Sequence, residues 1–193
     1  MCFSTEFWND KYLKGHTGWD LNSPSTPIKE YIDQLTNKDL KILIPGCGNA
    51  YEAEYLVEKG FNNITLIDIS SVVCESLKIK FKDNEQVKIL NEDFFKLNDH
   101  FDLIFEQTFF CALDPALRID YVNKMHQLLH DNGKLVGLLF NIEFDQTHPP
   151  FGGSTLEYKN LFQSKFKFKY FEVANNSIKP RHNTELFICL LKI

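Results

Sequence analysis

The sequence predicts an α/β protein built on a doubly wound, largely parallel sheet. Three observations predict it. From residue 40 onward, short apolar runs alternate with helical periodicities across short connections, the pattern of parallel strands linked by crossover helices. Those runs lack polar alternation, as strands do when helices cover both faces. The first run, in LKILIPGCGNAY (40–51), ends abruptly in Pro-Gly-x-Gly and passes into a helical pattern, so a buried strand exits through a turn that something approaches closely.

Ahead of the sheet, Thr5 caps a short helix to about Leu13, with Phe7, Trp8 and Tyr12 at near-helical spacing and Gly15 ending it. HTGWDLNSPSTP (16–27) is rich in turn formers, so a loop presents Trp19. That ring either plugs the edge of the core or covers a ligand together with Trp8. Pro27 then opens the helix PIKEYIDQL. Strand one is predicted at 41–44, a helix at 50–58 and strand two at 64–67. Ser70 caps a helix to about Phe81, strand three is 87–90 and strand four 101–105. Asp114-Pro115 begins a long helix to about Leu129, with Leu117, Tyr121, Met125, Leu128 and Leu129 on one face. The turn Asp131-Asn132-Gly133 leads into strand five, KLVGLLF.

A polar loop rich in Pro and Gly follows over 141–153, and loops this long inside a domain tend to be functional or disordered. A helix over 154–162 precedes two strands, 167–173 and 185–191. These are joined by ANNSIKPRHNT without an intervening helix, so they should pair antiparallel.

At 193 residues the chain fits one domain, with residues 1–36 an N-terminal helical extension. The aromatic share of 14%, including 18 Phe, suggests a densely aromatic core or a pocket walled by rings. A net charge of −5 argues against extended contact with nucleic acid or an acidic membrane, and favours a small-molecule substrate. Cys2, Cys47, Cys74, Cys111 and Cys189 are scattered without a C-x-x-C pair. They read as reduced thiols, neither a disulfide framework nor a metal-ligand set. No run reaches the roughly 18 apolar residues of a membrane span, and the acidic, aromatic opening MCFSTEFWND is unlike a signal peptide. A cytoplasmic protein is expected, as a monomer.

Glycine serves at Gly46 and Gly48 because a Cβ would obstruct a ligand on the turn or forbid a positive φ. In the dinucleotide fingerprint G-x-G-x-x-G the last glycine allows close helix packing and the helix start holds a pyrophosphate, and here that last place is Tyr51. The tighter G-x-G-x-A, through Ala50, suits a nucleoside ligand without phosphate, such as S-adenosylmethionine. Asp68 closes strand two about 20 residues on, where a carboxylate accepts from both ribose hydroxyls. At the end of strand three, Asp93 offers an acceptor for an adenine amino group, with Phe94 beside the ring.

PGCGNA, Asp68, Asp93-Phe94 and FDLIFEQTFFCALDP together resemble a class I S-adenosylmethionine-dependent methyltransferase. The N-terminal W-x-x-x-Y followed by G-W-D, the F-F-C-A-L-D-P after strand four and the P-P-F-G-G loop resemble the thiopurine S-methyltransferase family, especially its thiol and halide branch. The resemblance implies a Rossmann-like seven-stranded sheet of order 3-2-1-4-5-7-6 with strand seven antiparallel. It implies a lid of Trp8, Tyr12 and Trp19 over the cofactor, Gly46 against its amino-acid part, Asp68 on the ribose, Asp93 and Phe94 on the adenine, and Gln107 lining the cofactor. Tyr12 and Gln107 depart from the plant members of that branch, which tend to have Trp and Tyr there.

Methyl transfer from a sulfonium requires alignment and exclusion of water more than a charged catalytic site. Candidates near the acceptor are Glu106, Phe109 and Phe110 after strand four, His148 and Phe151 in the long loop, and Arg181. Glu106 reads first as a positioning or capping group and second as a base. His148 is a loop histidine suited to proton transfer. Cys111 reads as a structural thiol, and Arg181 either meets an anion or is solvated. The leading expectation is a thiol S-methyltransferase, with halide or thiocyanate methylation next and a non-catalytic cofactor-binding module third. Methylation of nucleic acid or protein amines and an NAD-dependent oxidoreductase are disfavoured.

Overall fold

The computed structural model describes residues 3–193, so Cys2 lies outside the described residues. The apolar runs form one seven-stranded sheet in the order β3-β2-β1-β4-β5-β7-β6. The strands are β1 (Ile42–Pro45), β2 (Ile64–Asp68), β3 (Val87–Asn91), β4 (Phe101–Gln107), β5 (Leu129–Phe140), β6 (Phe166–Val173) and β7 (Glu185–Lys192). β3 through β5 in that order pair in parallel, and β7 runs antiparallel to both β5 and β6.

Six helices accompany them among the described residues: α1 (Thr5–Leu13), α2 (Thr26–Asp33), α3 (Tyr51–Glu58), α4 (Ser71–Lys80), α5 (Arg118–Leu128) and α6 (Thr155–Phe162). β1 shows why apolar residues run without alternation. Ile42 and Ile44 share a core with Ile28 and Ile32 of α2, Leu56 of α3 and Leu77 of α4. Leu43 belongs to the opposite core, with Tyr121 and Met125 of α5 and Tyr158 and Phe162 of α6. Successive side chains of a strand point to opposite faces, so a strand between two helical layers is apolar at every position. Each such large side chain contributes about 1.5–3 kcal/mol when fully buried.

Local differences from expectation have local causes. Ser4, not Thr5, caps α1, accepting from the Phe7 N–H. The segment at Asp114-Pro115 opens as a 3₁₀ turn, Pro115–Leu117, before α5 begins at Arg118. β5 begins at Leu129 because that residue already pairs with Phe101; the ladder then shifts register so that Leu103 meets Lys134, and residues 131–133 are absorbed as an irregularity. β2, β3 and β4 each extend beyond the predicted end, to Asp68, Asn91 and Gln107. Ladder pairs such as Asp68 with Asn91 and Gln107 with Leu138 thus set polar strand-end residues at fixed positions.

Candidate cofactor and acceptor site

The turns that follow β1, β2, β3 and β4 enclose a cavity of about 1030 Å³. This is the carboxyl edge at which ligands of open α/β sheets gather. Phe3, Phe7, Trp8, Tyr12 and Trp19 line it from the N-terminal side.

The glycine turn is left-handed at alternate positions, with φ of +55° at Gly46, +51° at Gly48 and +56° at Ala50. A Cβ on Gly46 would lie 2.2 Å from Cδ2 of Phe109, and one on Gly48 would lie 2.9 Å from the Tyr12 hydroxyl. Both glycines are therefore required by positive φ and by protein rings packed on the turn. Phe109 reaches Gly46 because the chain turns sharply at Thr108, a β-branched residue at φ +58°, a conformation that stores strain and clusters at functional sites.

Asp68 is buried at the end of β2. Its Oδ2 accepts from Gly48 N–H at 3.1 Å and its Oδ1 from Ser70 N–H at 2.8 Å. Burial pushes its pKa up and those amides oppose the shift. A carboxylate has about four lone-pair sites, so both oxygens keep capacity for a ligand's hydroxyls. The Ser70 hydroxyl donates to Asn9 Oδ1 at 2.7 Å, and Asn9 Nδ2 donates to Ser71 Oγ at 3.2 Å. Asn9, which sequence reasoning passed over, ties α1 to the start of α4 beside Asp68.

Trp8 and Trp19 meet edge to face at 5.7 Å between centroids, and Tyr12 meets Trp19 in the same way at 5.8 Å. Arg181 holds this cluster from behind: Nη2 donates to the Trp19 carbonyl at 2.7 Å and Nη1 to Glu185 Oε1 at 3.3 Å. It is buried and lines the cavity, not a solvated loop residue.

Asp93 caps the Phe95 N–H through Oδ1 at 2.9 Å, which leaves Oδ2 for a ligand. Phe94 lies beside Phe109, with centroids 5.1 Å apart. Gln107 Oε1 is buried without a hydrogen-bond partner among the described residues, on a side chain that lines the cavity. Such an orphaned acceptor fits a ligand that donates to it.

All nine residues expected at the cofactor, Trp8, Tyr12, Trp19, Gly46, Gly48, Asp68, Asp93, Phe94 and Gln107, line this one cavity. The six acceptor candidates divide. Phe109, His148 and Arg181 line it, while Glu106, Phe110 and Phe151 do not. Strand parity explains Glu106: it lies on the β4 face of Ile104, beneath α5. There it accepts from Phe109 N–H at 2.8 Å, Phe110 N–H at 2.9 Å and the Tyr121 hydroxyl at 2.5 Å. Full burial pushes it up to about 7. It is a cap on the segment after β4, the first of its two expected roles. Phe110 is buried in the core with Tyr121 and Phe162. The Phe151 N–H donates to the Cys111 carbonyl at 2.7 Å and its ring packs on Phe3. The Cys111 thiol is buried, with its pKa raised by that burial, and donates to the Thr108 carbonyl.

Two features test the cofactor. Asp20, within the G-W-D motif but unassigned from sequence, accepts from the Asn49 amide and, at 3.3 Å, from the Tyr51 hydroxyl, setting a carboxylate at the start of α3. A diphosphate held at that helix start would meet this charge, so the Tyr51 argument against a dinucleotide gains a second cause. The cavity as a whole is acidic: Asp20, Glu52, Asp68, Glu92, Asp93 and Asp120 line it against Lys11 and the already paired Arg181. That balance suits a cofactor carrying a sulfonium and an ammonium.

Strand order, glycine turn and strand-end acceptors define a class I S-adenosylmethionine-dependent methyltransferase. The fold matches a solved N1-methyltransferase of 1,6-didemethyltoxoflavin from Burkholderia thailandensis, with that compound and S-adenosylhomocysteine bound. The TM-score is 0.78 at 16% identity, covering 97% of this chain and 86% of that one. The family profile described as thiopurine S-methyltransferase matches residues 3–188, and the chain belongs to that family. It is 30% identical over 185 residues to a probable thiol methyltransferase 2 of Arabidopsis thaliana, covering 92% of this chain and 81% of the relative. A thiocyanate methyltransferase 1 of Brassica oleracea is 27% identical over the same shares. A thiopurine S-methyltransferase of Aliivibrio salmonicida is 23% identical, covering 81% of this chain and 82% of the relative.

Proposed function

We propose that this methyltransferase acts on a small thiol. The observation that carries the reading is the apolar wall of the cavity, to which Phe109, Leu113, Phe140, Ile142 and Phe144 contribute, with the Phe140 and Phe144 rings 5.2 Å apart. A wall of that kind takes the organic body of an acceptor and a polarizable sulfur. The volume of about 1030 Å³ is at the upper end for one drug-sized ligand, consistent with room for a cofactor and an organic acceptor together. The named relatives include enzymes of thiols, thiopurines and thiocyanate, which favours the same class.

When bound, S-adenosylmethionine supplies a methyl group on a sulfonium, open to in-line displacement by a soft nucleophile. In this reading Gly46 and Gly48 shape the turn against its amino-acid part and Asp68 accepts from the ribose hydroxyls. Asp93 and Phe94 take the adenine, and the Gln107 carbonyl oxygen receives a donor from the ligand. Trp8, Tyr12 and Trp19 exclude water above it, within an N-terminal extension spanning residues 1–36 of a single domain. The protein works as a cytoplasmic monomer without nucleic-acid partners. Among the described residues no helix is long and apolar enough to cross a membrane.

Halide or thiocyanate methylation is the second reading, favoured by the Brassica oleracea relative. Methyl transfer measured across thiols, iodide and thiocyanate separates the two: preference for iodide over every thiol would overturn the first. Calorimetric absence of S-adenosylhomocysteine binding would overturn both, and binding without any turnover would leave a cofactor-binding module.

A further inference from the structure

Resting on the S-methyltransferase reading, we propose that His148 is the general base that takes the proton from a thiol acceptor. A thiol brings a proton that a halide or thiocyanate does not, so rapid thiol methylation near neutrality benefits from a positioned acceptor for it. The cavity's other groups are committed elsewhere. Asp68 receives two backbone amides, Asp20 holds Asn49 and Tyr51, and Arg181 is bound to Glu185 and the Trp19 carbonyl. Glu106 lies beneath Phe109 and Phe110 and does not line the cavity. Of the remaining lining carboxylates, Glu52 accepts from the Ser25 N–H and Asp93 from the Phe95 N–H, which leaves Glu92 and Asp120. As a class, a carboxylate is a weaker base toward a thiol than an imidazole, with reference pKa values of about 4 against about 6.5.

His148 lines the same cavity as Phe144 and Phe109, in the loop between β5 and α6, and is exposed. Its Nδ1 lies 2.9 Å from the Pro149 carbonyl oxygen. A carbonyl only accepts, so Nδ1 carries the hydrogen and the neutral ring keeps its lone pair on Nε2. One ring nitrogen is thereby held by the chain and the other is defined as the base. In the step, the thiol S–H bond breaks and its hydrogen passes to Nε2 as a proton. The acceptor sulfur keeps the electron pair and uses it to form the new bond to the methyl carbon, as the bond from that carbon to the sulfonium breaks with its pair remaining on the cofactor. The imidazolium returns its proton to solvent.

The test compares the full-length protein with His148→Gln and His148→Ala at one near-neutral pH. Three acceptors are used: an aliphatic thiol, an aromatic thiol already ionised at that pH, and iodide. For the aliphatic thiol kcat/KM should fall about 100-fold or more. The loss for the ionised thiol and for iodide should be at least about tenfold smaller, since neither needs a proton acceptor. A binding readout accompanies this: with S-adenosylhomocysteine present, His148→Gln should bind the aliphatic thiol about as tightly as the wild type, so that the loss falls on kcat and not on binding. Equal losses for all three acceptors, or undiminished turnover of the aliphatic thiol, would overturn the proposal and leave the S-methyltransferase reading intact. A wild type that methylates iodide but no thiol would overturn both.

Discussion

The Arg181 guanidinium donates to the Trp19 carbonyl oxygen at 2.7 Å, joining residues 162 positions apart in the chain. The turn before β7 thereby holds the loop that follows α1. Arg181 is also the partner of buried Glu185. Removing one side of a buried pair costs about 3–5 kcal/mol. Arg181→Ala should therefore lower the unfolding midpoint strongly, and adding Glu185→Ala should recover part of the loss. Trp8 and Trp19 are the chain's two tryptophans, so emission reports on this cluster directly. A red shift is expected in Arg181→Ala; an unchanged spectrum would mean that Trp19 is held by other contacts.

Gly46 should not tolerate a side chain. A methyl group there faces a φ of +55° and the Phe109 ring at 2.2 Å. The backbone conformation alone costs about 1–2 kcal/mol, and the ring must move as well. Gly46→Ala should lose stability and S-adenosylhomocysteine affinity together. Combining it with Phe109→Ala should restore part of the stability but leave the backbone cost. Strict additivity of the two substitutions in chemical denaturation would show that the ring is not the obstacle.

Asp68 should matter directly for cofactor binding. A hydrogen bond to a charged group contributes about 1.5–3 kcal/mol, so replacing it with Ala should weaken S-adenosylhomocysteine binding by about 10-fold to 100-fold or more. Asp68→Asn keeps one acceptor oxygen and should lose less. Calorimetry on the two variants tests the ordering, and equal affinities for wild type and Asp68→Ala would remove the carboxylate from the ribose.

Glu106 sets a pH dependence of stability. Its folded pKa of about 7 lies above the ordinary 4.5. Between those values the folded protein keeps a proton that the unfolded chain has lost, so stability falls as pH rises through the window, by about 3 kcal/mol in all. Glu106→Gln has no proton to lose and should flatten that slope. Urea midpoints measured across the window check this; an identical slope in the variant would assign it to other groups.

Much of the fold was legible because its signals are local. Apolar runs, Gly-x-Gly, Ser70 as a cap and the polar residues at strand ends are properties of a few neighbouring positions, and the lining of the cavity followed once those ends shared one edge of the sheet. Tyr51 was legible as an obstacle to a diphosphate. Its hydroxyl partner Asp20 was not, because that bond spans 31 positions.

What the sequence determined by itself was the order of strands and helices and which residue types close each strand. Tertiary structure decided which of them reach the cavity. Glu106 and Gln107 are adjacent and both polar, yet strand parity turns one under α5 and the other toward the ligand side. Arg181 read as a loop residue until Trp19 and Glu185 enclosed it, and Gly46 read as room for a ligand until Phe109 was found against it. Burial and long-range pairing are set by the neighbours that packing supplies, and no local pattern encodes a neighbour that lies dozens of residues away.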